Sequence, residues 1–320
     1  MPAISATAPG KIILFGEHAV VYGQPAIAAP INQVKARAII SARPDLPKGT
    51  ILLQAPNIGL EQALVDMPGD HPLVLTIQGV LQATEVKQPP ALSVRITSTI
   101  PIAAGMGSGA AISVAITRAL SKFLGHPLQD KQISQMAFEV EKLYHGTPSG
   151  IDNSVITYER PIFFTRHGSE KVEMEFFQVG RPFTIVIGDS GIHSPTSTSV
   201  GDVRKAWLKD QETYEMLFNQ TGEIVRQARK AIEKGDNAAL GPLMDKNQVL
   251  LQKIGVSCDK LEQLIQAAHQ AGALGAKLSG GGRGGNMIAL ADDDFAPKIA
   301  DALITAGATN TIITKIISKS

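Results

Sequence analysis

The prediction of the fold starts from the stretch PIAAGMGSGAAISVA, which occupies residues 101–115. Apolar and polar residues alternate over residues 92–97 before it, and apolar residues at helical spacing follow it, so a strand passes into a helix here. Three glycines lie at the junction: Gly105, Gly107 and Gly109. The unpaired N–H groups and the dipole of a helix start favour an anion. The stretch therefore predicts a phosphate-binding loop, with the Ser108 hydroxyl available to phosphate or Mg²⁺.

Two other interpretations of this loop stay open at this point. GMGSGA also fits the loose dinucleotide fingerprint G-x-G-x-x-A, which requires a second strand with an acidic residue about 20 residues further on. Gly125, Pro127 and a second helical pattern stand there instead. A purely structural glycine turn is the other alternative. The pattern favours a phosphate-binding loop over both.

Strand-like and helix-like patterns alternate outward from this loop. Strands are predicted at residues 12–14, 26–28, 34–40, 92–97, 154–165, 172–178, 183–187 and 311–317, with loops over 44–72. Helices are predicted at residues 73–84, 108–124, 130–144, 236–253, 259–271 and 293–306, with one long, broken helical pattern over 203–232. A boundary falls at Gly180-Arg181-Pro182. The sequence therefore predicts an α+β architecture of two domains, residues 1–182 and 183–320.

The composition is that of a globular enzyme. Hydrophobic residues make up 44% of the 320 residues and charged residues 18%, which excludes disorder and coiled-coil rods. The formal charge of +1 lacks a basic surplus, so we expect no nucleic-acid partner. Cys258 is the single cysteine, which excludes an intrachain disulfide and a cysteine-rich metal site. No apolar run has the length of a signal-peptide core or a membrane span. We therefore expect a cytoplasmic enzyme without a membrane partner.

Two carboxylates flank a turn in the middle of the chain. Glu141 lies near the end of a predicted helix, and Asp152 follows the turn Pro148-Ser149-Gly150, which presents its side chain. A helix-borne glutamate and a loop-borne aspartate suit a metal ligand and a general base respectively. Two solvated surface carboxylates are the alternative and, without other motifs, the commoner case.

Two more segments combine glycines with charged residues. Residues 279–286 read SGGGRGGN between two strand-like runs. They lack the G-K-[ST] ending of a Walker loop, and a structural hairpin is the alternative to a ligand-binding loop. Near the N-terminus, APGK ends at Lys11, and GEHAVVYG places Glu17 and His18 between apolar runs. A charged pair of this kind is usually a solvated turn.

These four segments, in this order, resemble the motifs of the GHMP kinases, a family of ATP-dependent small-molecule kinases. PIAAGMGSGAA resembles the family's phosphate loop, PxxxGLGSSAA. TPSGIDN is similar to NPSGxDN, and AKLSGGGRGGNMIAL is similar to KLTGAGGGGC. The run GEHAVVYG looks like that of members acting on mevalonate, and the Asp-Tyr that follows Glu-His in galactose-specific members is absent. The resemblance spans residues 8 to about 290.

The resemblance implies a two-domain GHMP-kinase fold, with an N-terminal α/β domain, a C-terminal ferredoxin-like domain and the active site in the cleft. It implies ATP-dependent phosphorylation of (R)-mevalonate to mevalonate 5-phosphate, with ATP and mevalonate as partners and Mg²⁺ as cofactor. Asp152 would take or orient the proton of the substrate hydroxyl. Lys11 would lie beside Asp152, lower its pKa and offset charge on the transferring phosphoryl group.

The resemblance also implies the other members of the site, and it leaves a homodimer open. Mg²⁺ would be held by Ser108 and Glu141. The substrate would be bound by Lys11, Glu17, His18, Ser149, Asp152 and Thr196. ATP would be bound by Pro101, Ala104, Gly105, Met106, Gly107, Ser108, Gly109 and Ala110.

The sequence departs from the family pattern in all but the N-terminal motif. The replaced residues are Gly109 for a second serine, Thr147 for an asparagine, Gly281 for an alanine, Arg283 for a glycine and Asn286 for a cysteine-like position. Arg283 either points into solvent or turns toward the ATP phosphates, where its guanidinium would partly replace the hydroxyl missing at Gly109.

Other functions stay open beside the leading one. A related kinase would act on the 3-hydroxyl of mevalonate, on phosphomevalonate or on homoserine. A non-catalytic GHMP-like regulator would be expected to lose Lys11 or Asp152, and both are present. A nucleotide-binding oxidoreductase is the most distant alternative. We therefore expect an active kinase.

Overall fold

The computed structural model describes residues 3–101, 105–145, 149–167 and 171–318. The strands of this part of the chain are β1 (Ile4–Phe15), β2 (Ala26–Ala42), β3 (Ile51–Ala55), β4 (Leu60–Ala63), β5 (Leu92–Ser98), β6 (Ile162–His167), β7 (Lys171–Phe176), β8 (Phe183–Asp189), β9 (Gly275–Ser279), β10 (Asn286–Ala291) and β11 (Asn310–Ile316). Its α-helices are α1 (Pro72–Ala83), α2 (Ser108–Phe123), α3 (Asp130–His145), α4 (Ile151–Tyr158), α5 (Thr196–Lys209), α6 (Gln211–Lys234), α7 (Asn237–Ile254), α8 (Asp259–Gln270) and α9 (Ala296–Thr305). None of these helices is long and apolar enough to cross a membrane.

The chain forms two compact units, and each is built from several segments. The first unit comprises Met1–Gly10, Val34–Pro101 and Gly107–Glu159. The second unit comprises Lys11–Gln33, Ile102–Met106 and Arg160–Ser320. The sequence pattern predicts a single division of the chain, after residue 182. That division into two family domains stays a prediction.

The first unit joins a sheet to four helices. The end of β2 pairs antiparallel with β5 (Ala36↔Ser98), β5 pairs parallel with β3 (Leu92↔Ile51), and β3 pairs antiparallel with β4. Helices α1 to α4 pack together, and α2 also contacts β5. Burial of apolar side chains on these helices stabilises the unit. The fully buried positions include Ile77, Val80, Val114, Ile116, Leu120, Ala137, Val155 and Ile156.

The second unit contains a four-stranded antiparallel sheet in the order β11-β8-β10-β9. Helices α8 and α9 pack against its strands. Strand β9 lies at one edge, where unpaired N–H groups would otherwise be exposed. Two side chains of α7 accept hydrogen bonds from this edge: Asp245 Oδ1 from Ala276 N–H, and Gln248 Oε1 from Leu278 N–H, each at 2.9 Å. The edge of β9, the strand that leads into the glycine-rich hairpin, is therefore covered by α7.

The predicted fold class, α+β, is confirmed. Helices α1, α2, α7 and α8 lie close to their predicted positions. Two predictions were wrong. Residues 44–72, predicted as loops, contain β3 and β4. The strand predicted over 154–165 begins only at Ile162, because α4 occupies Ile151–Tyr158. The helix begins there because Gly150 adopts a left-handed φ of 87° and the Ser154 hydroxyl donates to the Gly150 carbonyl at 2.7 Å.

The long helical pattern over 203–232 is two helices, α5 and α6. They are separated at Asp210, which has a non-helical ψ of 73° and caps α6 by accepting a hydrogen bond from Thr213 N–H at 3.2 Å. Periodicity alone does not place this break, because the apolar stripe continues through it. The patterns at 26–28 and 34–40, in contrast, belong to one continuous strand, β2.

Candidate active site

The predicted phosphate-binding loop is a glycine-rich turn into α2. Gly105 and Gly107 have φ angles of 73° and 72°, in the left-handed region that favours glycine, and Gly107 is the N-cap of α2. No side chain caps this helix start. A Cβ placed on Gly105 or Gly109 would meet no atom within 4 Å. The helix start therefore offers uncapped N–H groups beside open space, which is the arrangement that binds phosphate.

The exposure of the other described residues of this loop also fits a phosphate-binding loop. Ser108 and Pro101 are partly exposed, whereas Ala110 and Met106 are buried. The Met106 carbonyl accepts a hydrogen bond from Lys11 N–H at 3.0 Å. Ala104 lies outside the described residues.

Asp152 lies in the first turn of α4, between two buried neighbours. Ser149 begins the turn before it, and its Oγ accepts a hydrogen bond from Ile151 N–H at 3.3 Å. The buried Asn153 amide donates to Ser134 of α3, to the carbonyl at 3.1 Å and to the hydroxyl at 2.9 Å. These contacts fix the helix start, so the partly exposed Asp152 carboxylate is presented from a rigid element. Thr147, a departure from the family pattern, lies outside the described residues.

Two oxygen donors in the first unit suit Mg²⁺. Glu141 lies near the end of α3 and Ser108 at the start of α2, and both are partly exposed. The described residues contain no cluster of three or more His, Cys, Asp or Glu side chains that could hold a metal ion. One carboxylate and one hydroxyl nevertheless fit Mg²⁺, because this ion is usually held by one or two protein oxygens together with substrate phosphates and water.

The N-terminal motif is buried in the second unit, where a solvated turn was the alternative. Lys11 and His18 are each 5% exposed and Glu17 is 1% exposed. The Glu17 carboxylate forms an ion pair with Lys277 of β9, and neither side chain is exposed. Burial raises the pKa of Glu17 and lowers that of Lys277, while their mutual attraction opposes both shifts. Lys11 also lowers the pKa of Glu17.

His18 is a neutral imidazole with a defined tautomer. Burial, opposed by the hydrogen bond to the Gly281 carbonyl and assisted by the nearby Arg283 charge, lowers its pKa to about 4. His18 Nε2 lies 3.0 Å from that carbonyl oxygen. Because a carbonyl only accepts, Nε2 carries the proton and Nδ1 is left as an acceptor.

The third glycine-rich segment is the hairpin between β9 and β10. A Cβ on Gly282 would lie 2.1 Å from the Val256 carbonyl oxygen, and one on Gly284 would lie 2.4 Å from that of Ile192. These glycines are therefore required by contacts within the protein, as the structural alternative predicts. A Cβ on Gly281 would lie 3.1 Å from the hydroxyl of Thr196, the exposed first residue of α5.

The side chain of Arg283 is partly exposed and contacts a neighbouring helix. Its Nη1 forms an ion pair with Asp202 of α5 at 2.5 Å. Its backbone N–H donates to the Val256 carbonyl at 2.7 Å. Asn286, another departure from the family pattern, is buried at the start of β10.

The predicted site residues are distributed over both units. The first unit contains Pro101, Gly107, Ser108, Gly109, Ala110, Glu141, Ser149 and Asp152. The second unit contains Lys11, Glu17, His18, Gly105, Met106 and Thr196. The approach of Lys11 to Asp152 stays a prediction. Lys277 and Asp202 are not predicted from the sequence, because their partners are 260 and 81 residues away and no local pattern marks such pairs.

An uncapped, glycine-flanked helix start and a carboxylate held on a neighbouring rigid helix are the parts that phosphoryl transfer requires. The fold and the site thus define a small-molecule phosphotransferase. Family comparisons agree. The family described as "GHMP kinases N terminal domain" matches residues 74–160, and "GHMP kinases C terminal" matches residues 228–309.

Comparison with individual proteins identifies a narrower family within this class. Mevalonate kinase of Thermococcus onnurineus (strain NA1) is 37% identical over 98% of this chain and 96% of its own length. Mevalonate kinase of Pyrococcus furiosus is 35% identical over 96% of this chain and 94% of its own length. The crystal structure of L. major mevalonate kinase in complex with R-mevalonate superposes with a TM-score of 0.86 at 32% identity, covering 99% of this chain and 96% of that one. The chain therefore belongs to the mevalonate kinase family of GHMP kinases.

Proposed function

We propose that this kinase transfers the γ-phosphoryl group of ATP to the 5-hydroxyl of (R)-mevalonate and forms mevalonate 5-phosphate, a step of the mevalonate route to isoprenoids. This choice of substrate rests on two buried hydrogen-bond acceptors in the motif GEHAVVYG, which we call the acceptor pair. Glu17 and His18 are both buried, and each presents an oxygen or nitrogen that only accepts hydrogen bonds: Glu17 Oε2 and His18 Nδ1. An acceptor pair of this kind selects a substrate that donates from hydroxyl groups, and mevalonate carries two.

The acceptor pair also opposes competing acceptors. The phosphate of phosphomevalonate, which mevalonate lacks, would bring additional negative charge toward the Glu17 carboxylate. The galactose-specific motif differs directly after Glu-His, where this chain has Ala19 and Val20. Thr196 and Ser149 complete the substrate set by this proposal, as exposed or partly exposed hydroxyls at two helix starts.

The transfer itself is assigned to two residues. Asp152 accepts or orients the proton of the attacking hydroxyl, because it is a carboxylate fixed at a helix start by the Asn153–Ser134 hydrogen bonds. Lys11 supplies positive charge for the transferring phosphoryl oxygens, since it is a buried cation. Burial matters here, because charge–charge interactions are stronger where water is excluded.

The nucleotide and the metal are assigned to the loop and α2. The uncapped N–H groups after Gly107 bind ATP phosphates, and the left-handed glycines let the phosphates approach the backbone. Ser108 and Glu141 would hold Mg²⁺. When bound, the ion neutralises charge on the phosphates during transfer. A cytoplasmic location belongs to the proposal as well, because no apolar run has the length of a signal-peptide core or a membrane span.

An assay of ADP release with four acceptors tests the proposed function. Mevalonate, phosphomevalonate, homoserine and galactose are compared in parallel with Mg·ATP, and the phosphorylated position is determined by NMR. We expect mevalonate to be turned over fastest, with kcat in the common kinase range of about 1–100 s⁻¹, and the phosphate to be on the 5-hydroxyl. Faster turnover of another acceptor, or phosphate on the 3-hydroxyl, would replace this function with one of its alternatives.

A further inference from the structure

The ion pair between Glu17 and Lys277 is buried on both sides. Neither side chain has exposed surface, and Lys277 also donates to the Leu278 carbonyl at 2.6 Å. Lys277 lies in β9, and Glu17 lies in the N-terminal motif, 260 residues earlier. A buried charge costs free energy unless it is paired and hydrogen-bonded, so each residue depends on the other for its ionised form.

The two oxygens of the Glu17 carboxylate differ. Oε1 accepts from Lys277 Nζ, whereas Oε2 is equally buried and has no hydrogen-bond partner among the described residues. A buried acceptor without a donor is unfavourable, and native proteins rarely leave one unsatisfied. The arrangement therefore leaves a strong acceptor ready for a donor that the described chain does not provide.

We propose that Lys277 is a positioning residue for the acceptor substrate: it holds Oε1 of Glu17 so that Oε2 accepts a hydrogen bond from a substrate hydroxyl. The inference rests on the proposed function, in which Glu17 contacts mevalonate. Lys277 itself does not touch the substrate. It determines the orientation and the charge of the carboxylate that does.

The backbone near Glu17 and the side chain of His18 are held by other contacts, so only the orientation of the Glu17 carboxylate depends on Lys277. The backbone before Glu17 is already set, because Gly16 has a φ of 98° and a Cβ there would lie 2.5 Å from the Pro25 carbonyl oxygen. His18 is held by its contact with the Gly281 carbonyl. Rotation about the Glu17 side-chain bonds remains, and the contact with Lys277 removes it.

A second set of contacts ties β9 to the N-terminal motif. The Ser279 hydroxyl donates to the Ile13 carbonyl at 2.8 Å and accepts from Ile13 N–H at 3.2 Å. Lys277 therefore lies on a strand that is fixed relative to the segment carrying Glu17. Stability alone does not explain the pair, since well-packed apolar residues replace buried ion pairs at little or no cost.

Steady-state kinetics of Lys277→Met and Glu17→Gln test the inference. We expect each variant to raise KM for mevalonate at least about tenfold, which is a loss of about 1.4 kcal/mol of binding, while KM for ATP changes less than about twofold. Because Lys277 acts through Glu17, the double variant should raise KM for mevalonate no more than about twofold beyond Glu17→Gln alone. A purely structural lysine would lower the amount of active enzyme and leave both KM values unchanged.

Lys315→Met is the matched control. Lys315 lies on β11 of the same sheet and forms an ion pair with Asp293 at 2.6 Å, but its side chain is 49% exposed. We expect both KM values to stay within about twofold of wild type. If Lys277→Met does not fold, Lys277→Gln replaces it, because glutamine can still donate a hydrogen bond toward Glu17 although it is shorter and removes the counter-charge. We expect a smaller rise in KM for mevalonate there, of about threefold or more, with KM for ATP again within about twofold of wild type.

The outcomes separate this inference from the proposed function. If the wild-type enzyme does not phosphorylate mevalonate, the proposed function fails, whatever the variants do. If the wild-type enzyme does so and a folded Lys277 variant keeps the wild-type KM for mevalonate, the positioning role is overturned while the function stands. An equal rise in KM for ATP and mevalonate would also overturn it.

Discussion

Arg283 and Asp202 form an ion pair that joins the β9–β10 hairpin to α5, with 2.5 Å between Nη1 and Oδ2. The Arg283 guanidinium, together with Lys205, holds the pKa of Asp202 below its usual value. The arginine stands where the family pattern has glycine, and its φ of 57° is in the left-handed region. The side chain thus contacts α5 of the protein.

From this ion pair we predict that Arg283→Gly has little effect on KM for ATP. We expect KM for ATP to change less than about threefold, because both side chains are more than a third exposed and exposed pairs contribute little. The midpoint of urea unfolding should be unchanged or slightly higher, since glycine adopts a positive φ without strain. Asp202→Asn is the matched variant and should give the same small changes. A tenfold rise in KM for ATP in Arg283→Gly alone would mean that the guanidinium reaches the nucleotide.

Asp152→Asn should remove the chemical step while leaving the nucleotide bound. We expect kcat to fall about 10²- to 10⁴-fold, the usual contribution of a positioned general base. The dissociation constant of ATP, measured by calorimetry, should change less than about threefold. Asn keeps the size of the side chain and the α4 start, so near-wild-type turnover would remove Asp152 from the mechanism.

Glu141→Gln should act on the metal requirement instead. Loss of one carboxylate charge weakens Mg²⁺ binding, so the Mg²⁺ concentration for half-maximal rate should rise about tenfold. Glu139→Gln is a control on the same helix, because Glu139 is exposed and bonded to Gln135 and Lys142. We expect it to keep the wild-type Mg²⁺ dependence. The same dependence in both variants would show that Glu141 is not a metal ligand.

The sequence predicts local features of this site well and distant pairs poorly. The turn into α2 was predicted because glycines, a strand end and a helical period occur within a few residues. The α4 start was missed because the apolar residues Ile151, Val155 and Ile156 form too short a run to separate helix from strand. Only the structure shows that Gly150 is left-handed and that Asn153 binds Ser134.

Long-range partners have no comparable signal. Glu17 was predicted to be a site residue from its motif, but its ion pair with Lys277 depends on β9 lying beside the N-terminal segment. The alternation of GAKLS does not reveal such a partner either, because every residue of β9 is buried. A lysine at a fully buried strand position is the one local anomaly, since unpaired lysines are rarely buried.

Gly109→Ser should strengthen the phosphate-binding loop. A Cβ at this position meets no atom within 4 Å, and serine is favoured over glycine inside a helix by about 0.5 kcal/mol. We expect the free energy of unfolding to rise by about that amount in urea titrations. The added hydroxyl at the helix start should lower KM for ATP about threefold. An increase in KM would indicate that phosphate needs the space itself.

His18 makes the stability of the protein depend on pH. Its pKa is about 4 when folded, because of burial and the Arg283 charge, compared with 6.5 unfolded. Between these values the unfolded chain binds a proton that the folded chain does not, so stability is fully present above pH 6.5 and is lost as pH falls toward 4. We expect this group to cost about 2 kcal/mol of unfolding free energy between pH 7 and pH 5.

The variant His18→Gln isolates this contribution. Glutamine has no titrating group, and its amide donates to the Gly281 carbonyl in place of Nε2. The free energy of unfolding in urea is measured for both proteins at pH 7 and pH 5, and the loss between the two pH values is compared. The titration of Glu17 and the other carboxylates contributes equally to both losses and cancels in the comparison. Wild type should lose about 2 kcal/mol more than His18→Gln over this interval. Equal losses would mean that His18 titrates normally in the folded protein, and the neutral Nε2–H tautomer that makes Nδ1 an acceptor would have to be given up.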